Sequence, residues 1–235
     1  MCSAQRRWVM QFTESFVGGP MMWGGALLMG ALLLVALYFA PWQALRSVVI
    51  RQHALWGSLA ALCLVWSFRF EVIPGLFFHP FLMVTITLMF GWSLALILGA
   101  IVLVILAVVA VDPLSGHWST LPWDWLFTTL IPATMAYGLL RLMDLFPTRN
   151  LFVYILGQGF FGAIGVTLVS CALLLLFVWG TQPEPVFEKL WDKAAFVLPL
   201  MYAEGFLNGM LVTSITVFLP DLVKTFDDER FLKSG

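Results

Sequence analysis

The chain has 235 residues, of which 61% are hydrophobic and 11% charged, and its formal net charge is -1. A soluble domain carries roughly 25% charged residues, so this composition, with a mean hydropathy of +0.96, excludes an ordinary soluble domain and identifies an integral membrane protein. No basic patch points to nucleic acid, and 11 Trp with 21 Phe fit aromatic belts and lipid-facing surfaces.

The apolar runs are continuous rather than alternating with period two, which selects helices over a β-barrel as the way to satisfy the backbone in lipid. Cys2, Cys63 and Cys171 lie far apart and form neither a CxxC site nor a disulfide framework, so they read as packed thiols. Residues 1–19 carry Arg6, Arg7 and Glu14 and show no long apolar stretch with a small-residue cleavage site before Met21, so no removable signal peptide is expected.

A first span is predicted from Met21 to Ala40 and ends at Pro41. Ala26 and Gly30 sit one turn apart on it, either as a surface for close helix approach or as ordinary small-residue content. After a loop with Arg46 and Arg51, a short second span runs from Ala54 to Phe68, and Arg69 and Glu71 end it.

Between Glu71 and Asp112 lies the stretch around which the chain is arranged. A ten-residue loop ends in Phe77-Phe78-His79-Pro80, and a long apolar run follows, interrupted at Gly91-Trp92-Ser93. About thirty helical residues at about 1.5 Å each would reach about 45–50 Å, more than the roughly 30 Å of a hydrocarbon core. The pattern therefore predicts two helices folded back at Gly91, with His79 at the mouth of the hairpin as a titratable, metal-competent imidazole.

The loop from Asp112 to Pro122 contains His117, read as an interfacial residue, and a fifth span from Trp123 to Leu140 should kink at Pro132. Arg141, Asp144, Pro147 and Arg149 form a polar turn. The sixth span, Leu151 to Trp179, contains Gly157-Gln158-Gly159-Phe160-Phe161-Gly162. This matches GxGxxG but lacks the preceding strand and water-accessible helix start of a dinucleotide site, so the glycines read as helix contacts, with Gly165 extending the set.

Thr181 to Asp192 reads as a soluble loop, and the last span covers Ala194 to Leu219. It carries Glu204 and Asn208 on one face beside Gly205 and Gly209. An acid in mid-span is costly unless protonated, paired or facing a cavity. Glu204 is therefore either functional or a tie between helices through Gln158 or a backbone carbonyl.

The fold expected is an all-α polytopic membrane bundle of about seven helices in a single integral membrane domain. Its N-terminus lies outside and its C-terminus, with a tail over residues 220–235, is cytoplasmic. That orientation puts Arg46, Arg51, Arg141, Arg149, Lys224, Arg230 and Lys233 inside and Arg6, Arg7, Arg69, Lys189 and Lys193 outside, in the sense of the positive-inside rule. The outer segments also hold Glu14, Glu71, Asp112, Asp124, Glu184, Glu188 and Asp192, an acid-rich mouth that would concentrate cations.

Four stretches carry a resemblance: Pro74-Gly75-Leu76 through His79 to Leu88-Met89-Phe90-Gly91; Phe152-Val153-Tyr154 to Phe161-Gly162; Glu204-Gly205-Phe206-Leu207-Asn208-Gly209-Met210; and Thr225-Phe226-Asp227-Asp228. With them the chain resembles the substrate-binding membrane subunit, or S component, of energy-coupling factor transporters for cobalt and nickel, in a divergent branch. The resemblance covers nearly everything beyond residue 10 and implies seven helices with the N-terminus outside.

It also implies a capture subunit in the bacterial inner membrane that imports a divalent cation as substrate, holds no permanent cofactor, and works with a membrane coupling subunit and cytoplasmic ATPases. The chain has no Walker A sequence, and no HExxH, GxSxG or Cys/His pair marks an enzyme. Ala26/Gly30 and Gly205/Gly209 are the faces where the coupling contact is expected.

In the cobalt and nickel members the mature chain begins Met-His-Ile, with an acid three positions after the His. This start is tucked into the bundle, where its amine, its His and a second His at the hairpin mouth bind the metal. Met10-Gln11-Phe12-Thr13-Glu14 aligns with that opening, so the resemblance implies a metal set of Met10, Gln11, Glu14 and His79, within a buried segment over residues 10–20. Residues 1–9 are then an overshoot of the start or are removed. Gln11 stands where the first imidazole should be, and an amide is the poorer ligand for Ni²⁺ or Co²⁺. A membrane assembly or regulatory protein that keeps the fold without metal capture is the alternative.

Overall fold

A computed structural model describes residues 12, 16–17, 19–110, 117–143, 145, 151–219 and 222–223. Met10, Gln11 and Glu14, the overshoot over residues 1–9 and most of the expected C-terminal tail lie outside the described residues.

Helices build the bundle. α1 (Pro20–Phe39), a short α2 (Trp42–Ser47) and α3 (Val49–Ser67) lead into a two-stranded hairpin of β1 (Phe70–Ile73) and β2 (Leu76–Phe78). α4 (Met83–Phe90) and α5 (Trp92–Ala110) follow, then α6 (Leu121–Trp125), which continues through a π-helical turn into α7 (Ile131–Met143). A π-helical segment from Val153 to Phe161 runs straight into α8 (Gly162–Thr181), and α9 (Glu184–Trp191) and α10 (Val197–Phe218) close the chain.

Among the described residues, six helices are long and apolar enough to cross a membrane: Pro20–Phe39, Val49–Ser67, Trp92–Val109, Leu121–Met143, Val153–Thr181 and Ala194–Phe218. The remaining crossing expected from the sequence is different in kind. The chain does break at Gly91, which takes φ 84, but α4 has eight residues and at 1.5 Å each reaches only about 12 Å. All eight are buried. It is a half-helix enclosed by its neighbours, not one arm of a full-length hairpin.

Three further segments differ from the sequence reading. The ten-residue loop before His79 is the β1–β2 hairpin, turned at Pro74-Gly75 with Gly75 at φ 88 and Glu71 Oε1 accepting the Gly75 N–H at 3.0 Å. The second span begins at Val49, five residues earlier than expected. The segment after Thr181 is not all loop, because Pro183 starts α9, whose apolar side buries Leu190 while Glu184 and Lys189 stay polar.

Pro132 acts as expected but through a defined device. Having no N–H, it removes one rung of the helix ladder, and the five residues before Ile131 run as a π-turn, Leu126–Leu130. The GxGxxG stretch lies wholly inside the Val153–Thr181 helix and not at the start of one, where a dinucleotide fingerprint belongs. A side chain at Gly159 would meet Val212 and one at Gly162 would meet Leu139, so these two serve helix contacts, whereas Gly165 does not extend the set, since nothing lies within 4 Å of a Cβ added there.

The two small-residue pairs separate sharply. Gly205 and Gly209 are buried against Ile164 and Phe160, so their face is filled by this chain's own α8 and the segment before it, and is not a free coupling surface. Ala26 and Gly30 are exposed on α1, and nothing lies within 4 Å of a Cβ added at Gly30. Gly25, one position along, is the close approach, against the Trp123 indole.

Gly205→Val should therefore cost about 1–3 kcal/mol of stability by overpacking, while Gly30→Val should stay within about 0.5 kcal/mol. Thermal unfolding of the two variants in detergent checks this, and equal losses would contradict the packing described.

Candidate functional site

The ends of several elements meet around the hairpin. Phe12 forms an antiparallel bridge with Leu76 of β2, and its backbone N–H donates to Asp124 Oδ1 at 2.9 Å. Its ring is fully buried among Phe16, Phe127 and Phe177, with centroids 5.5 Å apart for Phe127. Gln182, just beyond α8, donates to the Phe16 carbonyl at 3.0 Å. Phe12 and Phe16 are thus bound to the hairpin, to α6 and to the end of α8.

Asp124 has no exposed surface. It lies in the first turn of α6, where an acid is favoured by the helix dipole, and Thr120 Oγ1 also reaches its carboxylate, at 3.4 Å.

His79 follows the hairpin by one residue and is 1% exposed. Its ring packs 4.9 Å from Trp66 and lies beside Phe78 and Phe81. Nδ1 sits 3.1 Å from the Pro80 carbonyl. A carbonyl oxygen can only accept, so Nδ1 carries the proton and Nε2 keeps the lone pair that a metal would use. Burial, then the charge of Arg69, hold the imidazole down to about 3, against a smaller opposing effect of the Pro80 carbonyl. His79, which is outside the six long helices, is accordingly neutral at physiological pH.

Arg69 ends α3 on the same side. Its Nε donates to the Trp66 carbonyl at 2.7 Å, and the Trp66 indole in turn donates to the Phe81 carbonyl at 3.2 Å. Burial pulls the guanidinium down to about 10, while the Asp124 carboxylate favours its charged form. Its Nη1 is buried without a hydrogen-bond partner.

What holds His79 in place comes from α10. The Glu204 carboxylate, 2% exposed, accepts the backbone N–H of Phe81 through Oε1, that of Leu82 through Oε2 at 3.3 Å, and the Asn208 amide through Oε2 at 2.7 Å. Asn208 Oδ1 accepts both the N–H and the hydroxyl of Thr85, at 3.0 and 2.8 Å. The Thr85 N–H is one of the unpaired donors of α4's first turn, and the Phe81 and Leu82 N–H groups lie just before it. A carboxylate there is favoured by the helix dipole, and Leu82, with φ 54, makes the left-handed turn into the helix.

Of the two readings of Glu204, the tie between helices is what the geometry displays. The tie runs to backbone N–H groups, not through Gln158 or to a carbonyl. Gln158 is buried elsewhere, with Nε2 on Met143 Sδ at 2.9 Å and Oε1 lacking a partner.

Among the described residues no group of three His, Cys, Asp or Glu side chains converges to hold a metal ion. His79 is the described member of the expected ligand set. Sequence reasoning passed over Trp66, Thr85 and Asp124 as individual site residues. Asp124 carried a signal, an acid inside the aromatic run Leu121-Pro122-Trp123-Asp124-Trp125.

Six helices long and apolar enough to cross a membrane, with a short buried helix beside them, mark a multi-pass membrane protein. Residues 12–222 match the profile of the cobalt uptake substrate-specific transmembrane region, and the chain belongs to that family. The family consists of membrane components of cobalt uptake that work with partner transporter subunits, and it is not a family of enzymes. Comparison with curated proteins and with solved structures finds no match.

Glu204→Ala would leave the Phe81 and Leu82 N–H donors unsatisfied, at about 1–3 kcal/mol for each buried group, and would remove one of the two acceptors of the Asn208 amide, which keeps the Glu204 carbonyl. It should therefore lower stability more than Asn208→Ala, which releases Thr85. Denaturation of both variants in detergent tests the order, and a Glu204→Ala protein as stable as the parent would show that α4 is held by other means.

Proposed function

We propose that this chain is the substrate-capture subunit of an energy-coupling factor transporter in the bacterial inner membrane, importing a divalent transition metal such as cobalt or nickel. A separate membrane subunit couples it to cytoplasmic ATPases. The metal is cargo, and the chain carries no permanent cofactor.

The observation that supports this reading most is the closure of the entering chain over the hairpin. Phe12 is bridged to Leu76, three residues before His79, and tied to Asp124. Phe12 stands in the sequence among Met10, Gln11 and Glu14, and His79, with its proton on Nδ1, keeps the Nε2 lone pair free for a metal. With Gly205 and Gly209 occupied within the chain, the α1 face at Ala26 and Gly30 is where the coupling subunit would pack.

One observation favours the second reading, an assembly or regulatory protein that has lost capture. Gln11 replaces the first imidazole, and amide nitrogen and oxygen are weak ligands for these metals.

The test is titration of the purified chain with Co²⁺ and Ni²⁺, each supplied free and chelated, against His79→Ala. Binding in at least one form, weakened by tenfold or on that order in the variant, is expected. Absence of any His79-dependent binding in every form would leave the second reading.

A further inference from the structure

Beside the hairpin that leads to His79, the described residues leave a groove with about 520 Å³ of empty space, its open side included. The hairpin forms one wall through Leu76 and Phe78, α8 forms the floor at Leu174, and the chain entering α10 forms the other wall, from Lys193 through Phe196 to Leu200. Every lining residue is hydrophobic except Lys193. Such a groove offers ordered water almost none of the roughly two to four polar partners it needs.

Its place along the bundle says what fills it. The last long apolar span begins at Ala194, so Lys193 stands directly outside that span, while Leu200 lies about 9 Å along the helix inside it. On the facing side Leu174 lies about 10 Å before the end of α8 at Thr181. The groove therefore runs from the membrane interface into the hydrocarbon layer, where the medium at its open side is acyl chain.

An acyl chain gains little by leaving the surrounding lipid for this groove, because lipid tails are as apolar as its lining. Selection must come from the headgroup. Between Glu184 and Lys193 the charged residues are Glu184, Glu188, Lys189, Asp192 and Lys193, and of these Lys193 alone lines the groove. Its ammonium stands 5.7 Å from the Phe196 ring centroid, at the interfacial end.

We propose that this groove binds one acyl chain of an anionic phospholipid, with the lipid phosphate at Lys193 Nζ. In a zwitterionic lipid such as phosphatidylcholine the choline cation offsets the phosphate, so the same lysine discriminates between the two. The seated chain packs against Leu76, which is bridged to Phe12, and against Phe78, whose ring lies 6.4 Å from that of His79. Lipid binding thus stabilises the hairpin behind His79, whatever cargo the protein carries.

The experiment is native mass spectrometry of the full chain released from detergent and titrated with dioleoyl phosphatidylglycerol or dioleoyl phosphatidylcholine. The expected result is a one-to-one complex with phosphatidylglycerol, about fivefold tighter than with phosphatidylcholine, which is the weight of one lysine near an anionic headgroup. Lys193→Gln should bring phosphatidylglycerol down to the level of phosphatidylcholine. Lys189→Gln, at an equally exposed position outside the groove, should keep the preference. Ala194→Trp, which fills the groove from its wall, should weaken both lipids. Equal binding of the two lipids by the parent, or binding of neither, would overturn the proposal. So would a preference that survives Lys193→Gln, or one that Lys189→Gln abolishes equally, since the attraction would then be diffuse. A folded Ala194→Trp protein with unchanged binding would place the lipid elsewhere and overturn it too. If that variant does not fold, the two lysine variants decide the matter, because both side chains are exposed.

Discussion

A carboxylate and an amide from α10, four residues apart, hold the start of a helix that lies more than 120 residues earlier in the chain. The rest of the arrangement depends on this contact. α4 is too short to span a bilayer and begins inside the bundle, so its first N–H groups have neither water nor a local side-chain cap. In a low-dielectric interior each unpaired group is costly. From α10, Asn208 takes the Thr85 N–H of that first turn, and Glu204 takes the Phe81 and Leu82 N–H groups just before it, which fixes the residues next to His79. Gly205 and Gly209 complete the device, since their lack of side chains lets α10 lie close against Phe160 and Ile164.

The other end of the site is fixed by Asp124. It binds the backbone of Phe12, and the aromatic cluster of Phe12, Phe127 and Phe177 seals that tie from water. His79 and Arg69 lie between these two anchors, joined through Trp66. The His79 imidazole holds its proton on Nδ1, which leaves the Nε2 lone pair uncommitted.

Much of the fold was legible because bilayer constraints act locally. Runs of apolar residues gave the long helices, Gly91 gave the break, Pro132 gave the irregular turn, and the absence of a preceding strand was enough to set aside the GxGxxG match. What escaped was non-local. The length of α4 is set by where α10 can cap it, and nothing between Met83 and Phe90 records that. The hairpin had its Pro74-Gly75 turn in plain view, yet its strands are so short that their identity depends on Phe12 and on the bulge between Glu71 and Ile73. Glu204 was recognisable as an acid that lipid would not tolerate, but its partners are backbone groups, which have no signature in sequence. Asp124 looked like one of several outer acids because its burial is created by the chain's own beginning, 112 residues away.

Hydrogen exchange read by mass spectrometry tests the central contact directly. In the parent protein the amides of residues 81–90 should be protected, and Glu204→Ala should strip that protection from this segment while residues 92–110 keep theirs. Unchanged exchange across residues 81–90 in that variant would contradict the claim that α10 holds the start of α4.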